Sequence, residues 1–390
     1  MYNRISSVAV LGAGHGGLAL AAHLGRQGHR VALWNRSPAR VAPVAARGGV
    51  RLTPAGGAAS FAPIAVATDS MAVALAGARV VLVAVPASGH ADVARACAPH
   101  LRDGQAVLLL PGRTGGALEF RQVLRRAGCR ARVVLGEANT FPFAARRTGP
   151  ADALIYGAKA EVLAAALPAT RTPELLEACR PYLPTLAPTR SVLHTGLGNV
   201  GAVLHPVITL LNARRIAAGE AFDFYTEGVT LRVAAVLAAA DAERLRVARA
   251  YGVAADSLRD WVAAAYGHHA DTVQAAVAGN PAYVGIKAPN TLAHRYLLED
   301  VPTGLVPLLE LGASAGLKLP TLAGLVDLAR LTLGGERWAR PRTLDALGLA
   351  GLSPAAVRAR VEGERAPAAP APSGRPRWGV GLLPQVASGV

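Results

Sequence analysis

Residues 8–34 read VAVLGAGHGGLALAAHLGRQGHRVALW, and this stretch decides the fold. Val8 to Leu11 is a short apolar run that suits a buried parallel strand. Gly12-Ala13-Gly14-His15-Gly16-Gly17 follows at once, then a helix over Leu18 to Arg26 and a second strand over Arg30 to Trp34. A glycine fingerprint in that strand–turn–helix–strand setting predicts a dinucleotide-binding unit; outside it, the same glycines would be a bare turn. Gly12 permits the tight turn, Gly14 lets a pyrophosphate approach the backbone, and Gly17 lets helix and strand pack closely. The helix N-terminus offers free N–H groups and the positive end of its dipole to phosphate, with His15 in the turn as a further contact.

The end of the second strand discriminates between cofactors. An NAD-preferring site places Asp or Glu there to hold the ribose 2′-hydroxyl. Here the residues are Asn35-Arg36-Ser37, with Arg40 one helical turn beyond Arg36. An acid would repel a 2′-phosphate, whereas an Arg and a hydroxyl attract it, so NADP is expected over NAD. The rival reading of Arg36 is one more surface arginine in an arginine-rich chain.

Working outward, 390 residues suggest two domains and a tail, and the 52% hydrophobic content is ample for a large core. No uncharged apolar run reaches the roughly 18 residues of a membrane helix. A signal peptide is rejected because its cleavage would destroy the glycine fingerprint. Cys97, Cys129 and Cys179 are widely spaced and odd in number, without disulfide or metal spacing, which fits a reducing cytoplasm. The formal net charge of +16 is nearly all arginine, since lysine occurs only at Lys159, Lys287 and Lys318. These arginines are scattered rather than gathered in one arm, which argues against nucleic-acid binding and leaves a field that draws in anionic substrates.

The first ~185 residues alternate short strands and helices, the pattern of a doubly wound α/β sheet. Strands are expected over Ala78–Val85, Gln105–Leu110 and Arg132–Leu135, with a helix opening at Thr68-Asp69 and a small β-insertion over Val50–Val66. Ligands bind at the carboxyl ends of such strands, so the loops from Val85, from Pro111 to Gly116 and from Glu137 to Phe143 should gather near a nicotinamide, with Pro86 a cofactor contact. From about residue 190 the pattern becomes helical. The expected division is a dinucleotide-binding domain over 1–188, an all-helical substrate domain over 189–365 and a disordered Pro/Ala-rich tail over 366–390.

Within the helical part, TLAHRYLLEDVPTGLVPLLELG (291–312) sets Arg295, Glu299 and Asp300 in an apolar segment, where buried polar groups need partners. His205, in GNVGAVLHPVITLLNA, is a suitable one. Pro206 is expected to start or kink its helix, and Asn212, seven residues on, to share its face. A converging Arg, His and Asp suit carbonyl or imine chemistry: the Arg holds a carboxylate, the His moves a proton and the Asp stabilises the imidazolium. The rival readings are a core histidine and an Arg295–Asp300 salt bridge. His268-His269 is read as a loop pair, with no metal site expected.

The pairs GAGHGG and WNRS, then PGRTGGALEF (111–120), NVGAVLHP (199–206), FDFYTEG (222–228) and HRYLLEDVPTGLVP (294–307), come in an order that resembles the octopine/nopaline dehydrogenase family of opine dehydrogenases. The likeness covers about residues 8–335. It implies a Rossmann domain followed by an all-helical domain. It also implies NAD(P)H-dependent reductive condensation of a 2-keto acid with an amino acid, giving a secondary amine dicarboxylate. His205 and Asp300 fall on the family's catalytic positions and Arg295 on its keto-acid position. Thr303 stands where many relatives carry tyrosine or another residue. Glu137, Asn212, Tyr225 and Glu227 are expected to bind substrate, Glu137 and Glu227 on the amino side; an ordinary surface acid is the rival for Glu137 and a helix-start acid for Glu227. A cytoplasmic homodimer is expected. The alternatives are a keto-acid reductase with an alcohol product, which would not need an amino acid, and a catalytically silent NADP-sensing protein, which would not need a proton donor.

Overall fold

A computed structural model describes residues 7–334 and 340–363, so the expected tail at 366–390 lies outside the described residues. The main sheet grows from the quoted stretch. β1 (Ser7–Leu11) and β2 (Arg30–Trp34) pair in parallel, Val8 beside Val31, and are joined by the helix His15–Arg26. Then come β3 (Gly49–Thr53), β4 (Ser60–Pro63), β5 (Val66–Thr68), β6 (Val80–Val83), β7 (Ala106–Leu109) and β8 (Val134–Ala138). β9 (Phe143–Gly149), β10 (Asp152–Ala158), β11 (Val162–Ala166) and β12 (Leu186–Pro188) complete the strands. The central strands β6 to β8 are buried throughout, and apolar apart from Gly136 and Glu137, as parallel strands covered on both faces must be.

The main sheet runs β12-β11-β8-β7-β6-β1-β2-β5, parallel from β8 to β5, with β11 antiparallel to β8. The run from β5 to β8 has the strand order of a doubly wound dinucleotide-binding sheet, which reverses between β1 and β6 and opens its crevice there. Gly12 turns the chain at that point with φ of +119°, a conformation closed to other residues, and a Cβ on it would strike the Ala84 carbonyl that ends β6. A second sheet, β4-β3-β10-β9, lies against the helix His15–Arg26. It contains the expected insertion over Val50–Val66 together with two strands that sequence alone did not join to it.

Beyond Val192 the described residues form helices and turns, apart from one bridge between Asp223 and Lys287. Their core is cross-linked by buried charge. On the helix Leu231–Ala250, Arg244 donates to Asp241, to the Leu197 carbonyl and to the Asp256 carbonyl. Glu243 accepts from the Thr321 and Leu322 amides at 2.9 Å each, capping the helix Pro320–Leu333. Among the described residues no helix is long and apolar enough to cross a membrane.

Arg342 ties the helical part to the sheet. It is fully buried, and its guanidinium donates to Glu119, to the carbonyls of Gly112, Thr114 and Ala87, and to His90 Nδ1, all within 2.9–3.1 Å.

Several expected boundaries shift. The helix expected from Thr68-Asp69 begins at Met71, because the Ser70 side chain accepts from the Val73 amide and caps it there. Pro206 does not start its helix but lies inside Gly201–Leu211. The strand expected to end at Leu135 continues to Ala138, so Glu137 lies within β8 and not in the following loop. It is wholly buried, accepting from the Ala117 amide at the N-terminus of the helix Gly116–Arg126 and from Thr195 Oγ1. Its carboxylate caps a helix, which corrects the expectation that it meets the amino substrate.

Burial pushes the Glu137 carboxyl up to about 7, against the opposing pull of Thr195, Ala117 and Arg342. A carboxyl raised in this way favours folding most below its ordinary value of 4.5, and the contribution is lost as pH rises through about 7. Glu137→Gln should therefore gain on wild type between pH 5 and pH 8, by on the order of 3 kcal/mol. Urea unfolding of both proteins at the two pH values tests this, and parallel pH dependences would refute it.

Candidate active site

Asp300 and His205 meet on opposing elements. His205 sits in the helix Gly201–Leu211, and Asp300 precedes a π-helical turn over Val301–Leu305. Such wide turns are frequent at functional sites. Gly304 lets this one approach the His205 helix, since a Cβ there would lie 2.8 Å from the Ala202 side chain. His205 Nδ1 is 2.8 Å from Asp300 Oδ2, with Asp300 fully buried and His205 18% exposed. Burial alone would push the Asp300 carboxyl up. The His205 hydrogen bond and charge, with the charges of Arg113 and Arg295, outweigh that and hold it below its ordinary value. The carboxylate is therefore ionised at neutral pH and fixes the Nδ1 proton, which leaves Nε2 to exchange a proton with a ligand.

Tyr296 fixes the plane of the imidazole. Its ring stacks on His205 at 4.4 Å with 17° between planes, and Phe224 stacks behind it at 4.8 Å. Arg295 is half-exposed, and its partner is Glu299 at 3.0 Å rather than Asp300. Glu299 Oε1 also accepts from the Ala87 amide at 3.1 Å, so this buried acid joins the Arg295 segment to the loop after Pro86.

The other residues expected to bind substrate are not gathered at His205. Asn212 caps the end of the His205 helix, and its buried amide donates to the carbonyls of Ile208 and Gly228 at 2.9 Å. Tyr225 is buried with its ring stacked on Tyr283 at 4.3 Å, part of the packing behind Tyr296. Glu227 is exposed, accepting from the Asp223 amide and facing Arg215 at 3.7 Å. With Glu137 inside β8, three of the four serve as buried braces and the fourth lies on the surface. For Asn212 a helical face shared with His205 does not imply a shared site, because the Ile208 and Gly228 carbonyls claim its amide.

The expected cofactor residues follow the carboxyl ends of β1, β2 and β6. Gly12 and Gly17 make the tight turn, and Gly14 borders open space, where a pyrophosphate can come close. Asn35 Oδ1 accepts from the Ala13 amide at 3.0 Å, bracing the glycine turn. Arg36 is 82% exposed and only 3.4 Å from Asp92, and Ser37 precedes the helix Pro38–Arg47 without a side-chain cap. Pro86 opens the short turn Ala87–Gly89. His15 Nδ1 accepts from the Arg147 amide, and Arg147 also donates to the Ala13 carbonyl, so β9 supports the turn from outside. Burial lowers the His15 pKa, and so do the charges of Arg146, Arg40, Arg147 and Arg295.

Sequence reading passed over Arg113, Asn199 and Tyr296, and noted Glu299 only as a neighbour of Asp300. Arg113 lies in PGRTGG and has φ of +60°, the only positive value outside glycine among the described residues. That conformation costs roughly 1–2 kcal/mol for a residue with a Cβ. Its Nη1 is 3.2 Å from Asn199 Oδ1. A charged residue between turn glycines was the available signal.

The helical part matches a family model described as NAD/NADP octopine/nopaline dehydrogenase, alpha-helical domain, over residues 188–333. Residues 8–136 match one for ketopantoate reductase PanE/ApbA. An opine dehydrogenase of Arthrobacter sp. (strain 1C) is 39% identical over 354 residues, 91% of this chain and 98% of the relative. Protein ocs of Agrobacterium vitis is 28% identical over 90% of this chain and 98% of its own length. Among solved structures, octopine dehydrogenase with NADH and L-arginine superposes with a TM-score of 0.77 at 21% identity, covering 92% of this chain and 98% of that one. Yersinopine dehydrogenase bound to NADP+ does so with a TM-score of 0.71 at 20% identity, covering 93% and 99%. The two structures carry the fold alone, but the 39% identity extends over 91% of this chain, and by it this chain belongs to the octopine/nopaline dehydrogenase family, whose members are oxidoreductases.

Proposed function

We propose that this chain is an NADPH-dependent opine dehydrogenase, which condenses a 2-keto acid with the amino group of an amino acid and reduces the imine to a secondary amine dicarboxylate. The observation that carries the reading is the 2.8 Å His205–Asp300 pair, with Arg295 beside it and the glycine-turn crevice nearby. NADPH is favoured because Asn35, Arg36 and Ser37 provide no acid at the end of β2 and leave one guanidinium exposed. A nicotinamide bound in the crevice supplies hydride to the imine carbon.

The protein's own part is binding and proton movement. Arg295 holds the keto-acid carboxylate. His205 Nε2 donates a proton to the carbonyl oxygen as nitrogen attacks, takes one from that nitrogen, and passes it to the carbinol oxygen, which leaves as water from the iminium ion. Asp300 stabilises the imidazolium while it carries that proton, and the stacked Tyr296 keeps the ring aimed.

A matrix of keto acids and amino acids, followed by NADPH absorbance and product mass, tests the reading. Oxidation that needs both partners and yields the secondary amine is expected. Oxidation with the keto acid alone, giving the alcohol, would replace this reading with a keto-acid reductase.

His205→Ala should depress turnover about 10²–10⁴-fold with NADPH binding intact. Asp300→Asn should act in the same direction, and the double variant should be scarcely slower than His205→Ala, since the pair acts as a unit. Multiplicative losses in single-turnover rates would separate the two roles.

Arg36→Glu should weaken NADPH binding by at least the 1.5–3 kcal/mol of a lost charge-assisted hydrogen bond, roughly, and spare NADH. A wild-type protein that prefers NADH in paired Michaelis constants would sink the cofactor assignment. Arg295→Lys should raise the keto-acid Michaelis constant more than that of NADPH, because lysine lacks the planar fork. An unchanged keto-acid constant would remove Arg295 from that role.

A further inference from the structure

The product of the proposed reaction has two carboxylates, one on each carbon flanking the new nitrogen. Arg295 accounts for one. The four other residues expected to bind substrate lie in the packing or on the surface, which leaves the second carboxylate without a partner. We infer that Arg113 binds the α-carboxylate of the amino acid, an inference that rests on the opine dehydrogenase reading.

Four observations carry it. Arg113 borders the same space as His205: a Cβ placed on Gly201 would lie 3.1 Å from Arg113 Nη1 and 3.4 Å from His205 Cε1. Its Nε is buried and has no hydrogen-bond partner, and among the described residues Arg113 is in no ion pair. The uncharged Asn199 amide oxygen is its one side-chain partner there, at 3.2 Å. A guanidinium that keeps donors unused in such a place lacks an anion, and a carboxylate matches its fork. Finally, its backbone is not free to relax. The residues on either side, Gly112 and Thr114, have their carbonyls pinned by Arg342, and Thr114 Oγ1 donates to the Gly196 carbonyl. The left-handed turn at Arg113 is therefore held from both sides, as expected of a residue presented to a ligand.

The two guanidiniums approach the proton-transfer pair from different elements. Arg295 comes from the segment that leads to Asp300, whereas Arg113 comes from the loop after β7. An amino acid and a keto acid, each held by one arginine, would bring nitrogen and carbonyl carbon together beside His205. This is the gain that positioning gives a two-substrate reaction.

Arg113→Gly is the informative variant, because glycine suits the left-handed backbone and removes only the side chain. With the amino acid that wild type uses best, its Michaelis constant should rise ~10–100-fold, the worth of a lost charge-assisted contact. The constants for keto acid and NADPH should stay within about twofold. The amine formed by removing that amino acid's carboxylate is the control. Wild type should prefer the amino acid to the amine strongly, and Arg113→Gly should use both about equally. Arg113→Lys should restore part of the preference. A preference retained in Arg113→Gly, or a rise confined to the keto-acid constant, would overturn the assignment. Failure of the opine reading looks different: wild type itself would then form no secondary amine with any pair.

Discussion

Burying a guanidinium is tolerable only when every donor finds an acceptor, and Arg342 meets that condition by drawing separate parts of the chain together. Its acceptors lie in the loop after β6, the loop after β7 and the helix that begins at Gly116, while its own amide donates to the Pro302 carbonyl in the π turn. The loop carrying Arg113, the residue Ala87 that anchors Glu299 and the turn that follows Asp300 are thereby set in register about one side chain. None of these segments neighbours another in sequence. Their relative positions, and with them the shape of the site, depend on this shared charge.

The proton-transfer pair follows the same physical rule on a smaller scale. A carboxylate as deeply buried as Asp300 would normally take up a proton, but His205 and two nearby arginines keep it ionised. The imidazole is restrained at its edge by Asp300 and at its face by Tyr296, so its remaining nitrogen points in one direction. Glu299 shows how closely structure and site are interleaved: one oxygen holds the sheet loop at Ala87, and the other faces Arg295. Cross-links of this kind let a helical domain present groups accurately to a crevice built by another part of the chain.

The positive charge of the chain also acquires a location. Scattered along the sequence, the arginines suggested only a diffuse field. In the fold Arg40, Arg146, Arg147 and Arg295 act together on His15, at the start of the helix that faces the crevice. β9, which supplies two of them, belongs to the inserted second sheet, and Arg147 holds the Ala13 carbonyl of the glycine turn. The insertion thus contributes to the mouth of the main domain as well as packing against its first helix.

Local spacing was enough to read the crevice and its approach. The run from Val8 to Trp34 dictates β1, a glycine turn, a helix and β2, because each piece has its own short-range signature. His205 and Asp300 could be singled out because a proton carrier and an acid amid apolar residues require partners. Which groups would claim one another was beyond local spacing. Asn212 is absorbed by carbonyls of its own neighbourhood, Tyr225 by aromatic packing and Glu137 by a helix N-terminus, while Arg113 is left with unused donors beside His205. Sequence determines which side chains can carry chemistry and which local elements bear them. The tertiary structure decides which remain free to use it, because every buried polar group must be satisfied and the partners that satisfy it come from distant parts of the chain.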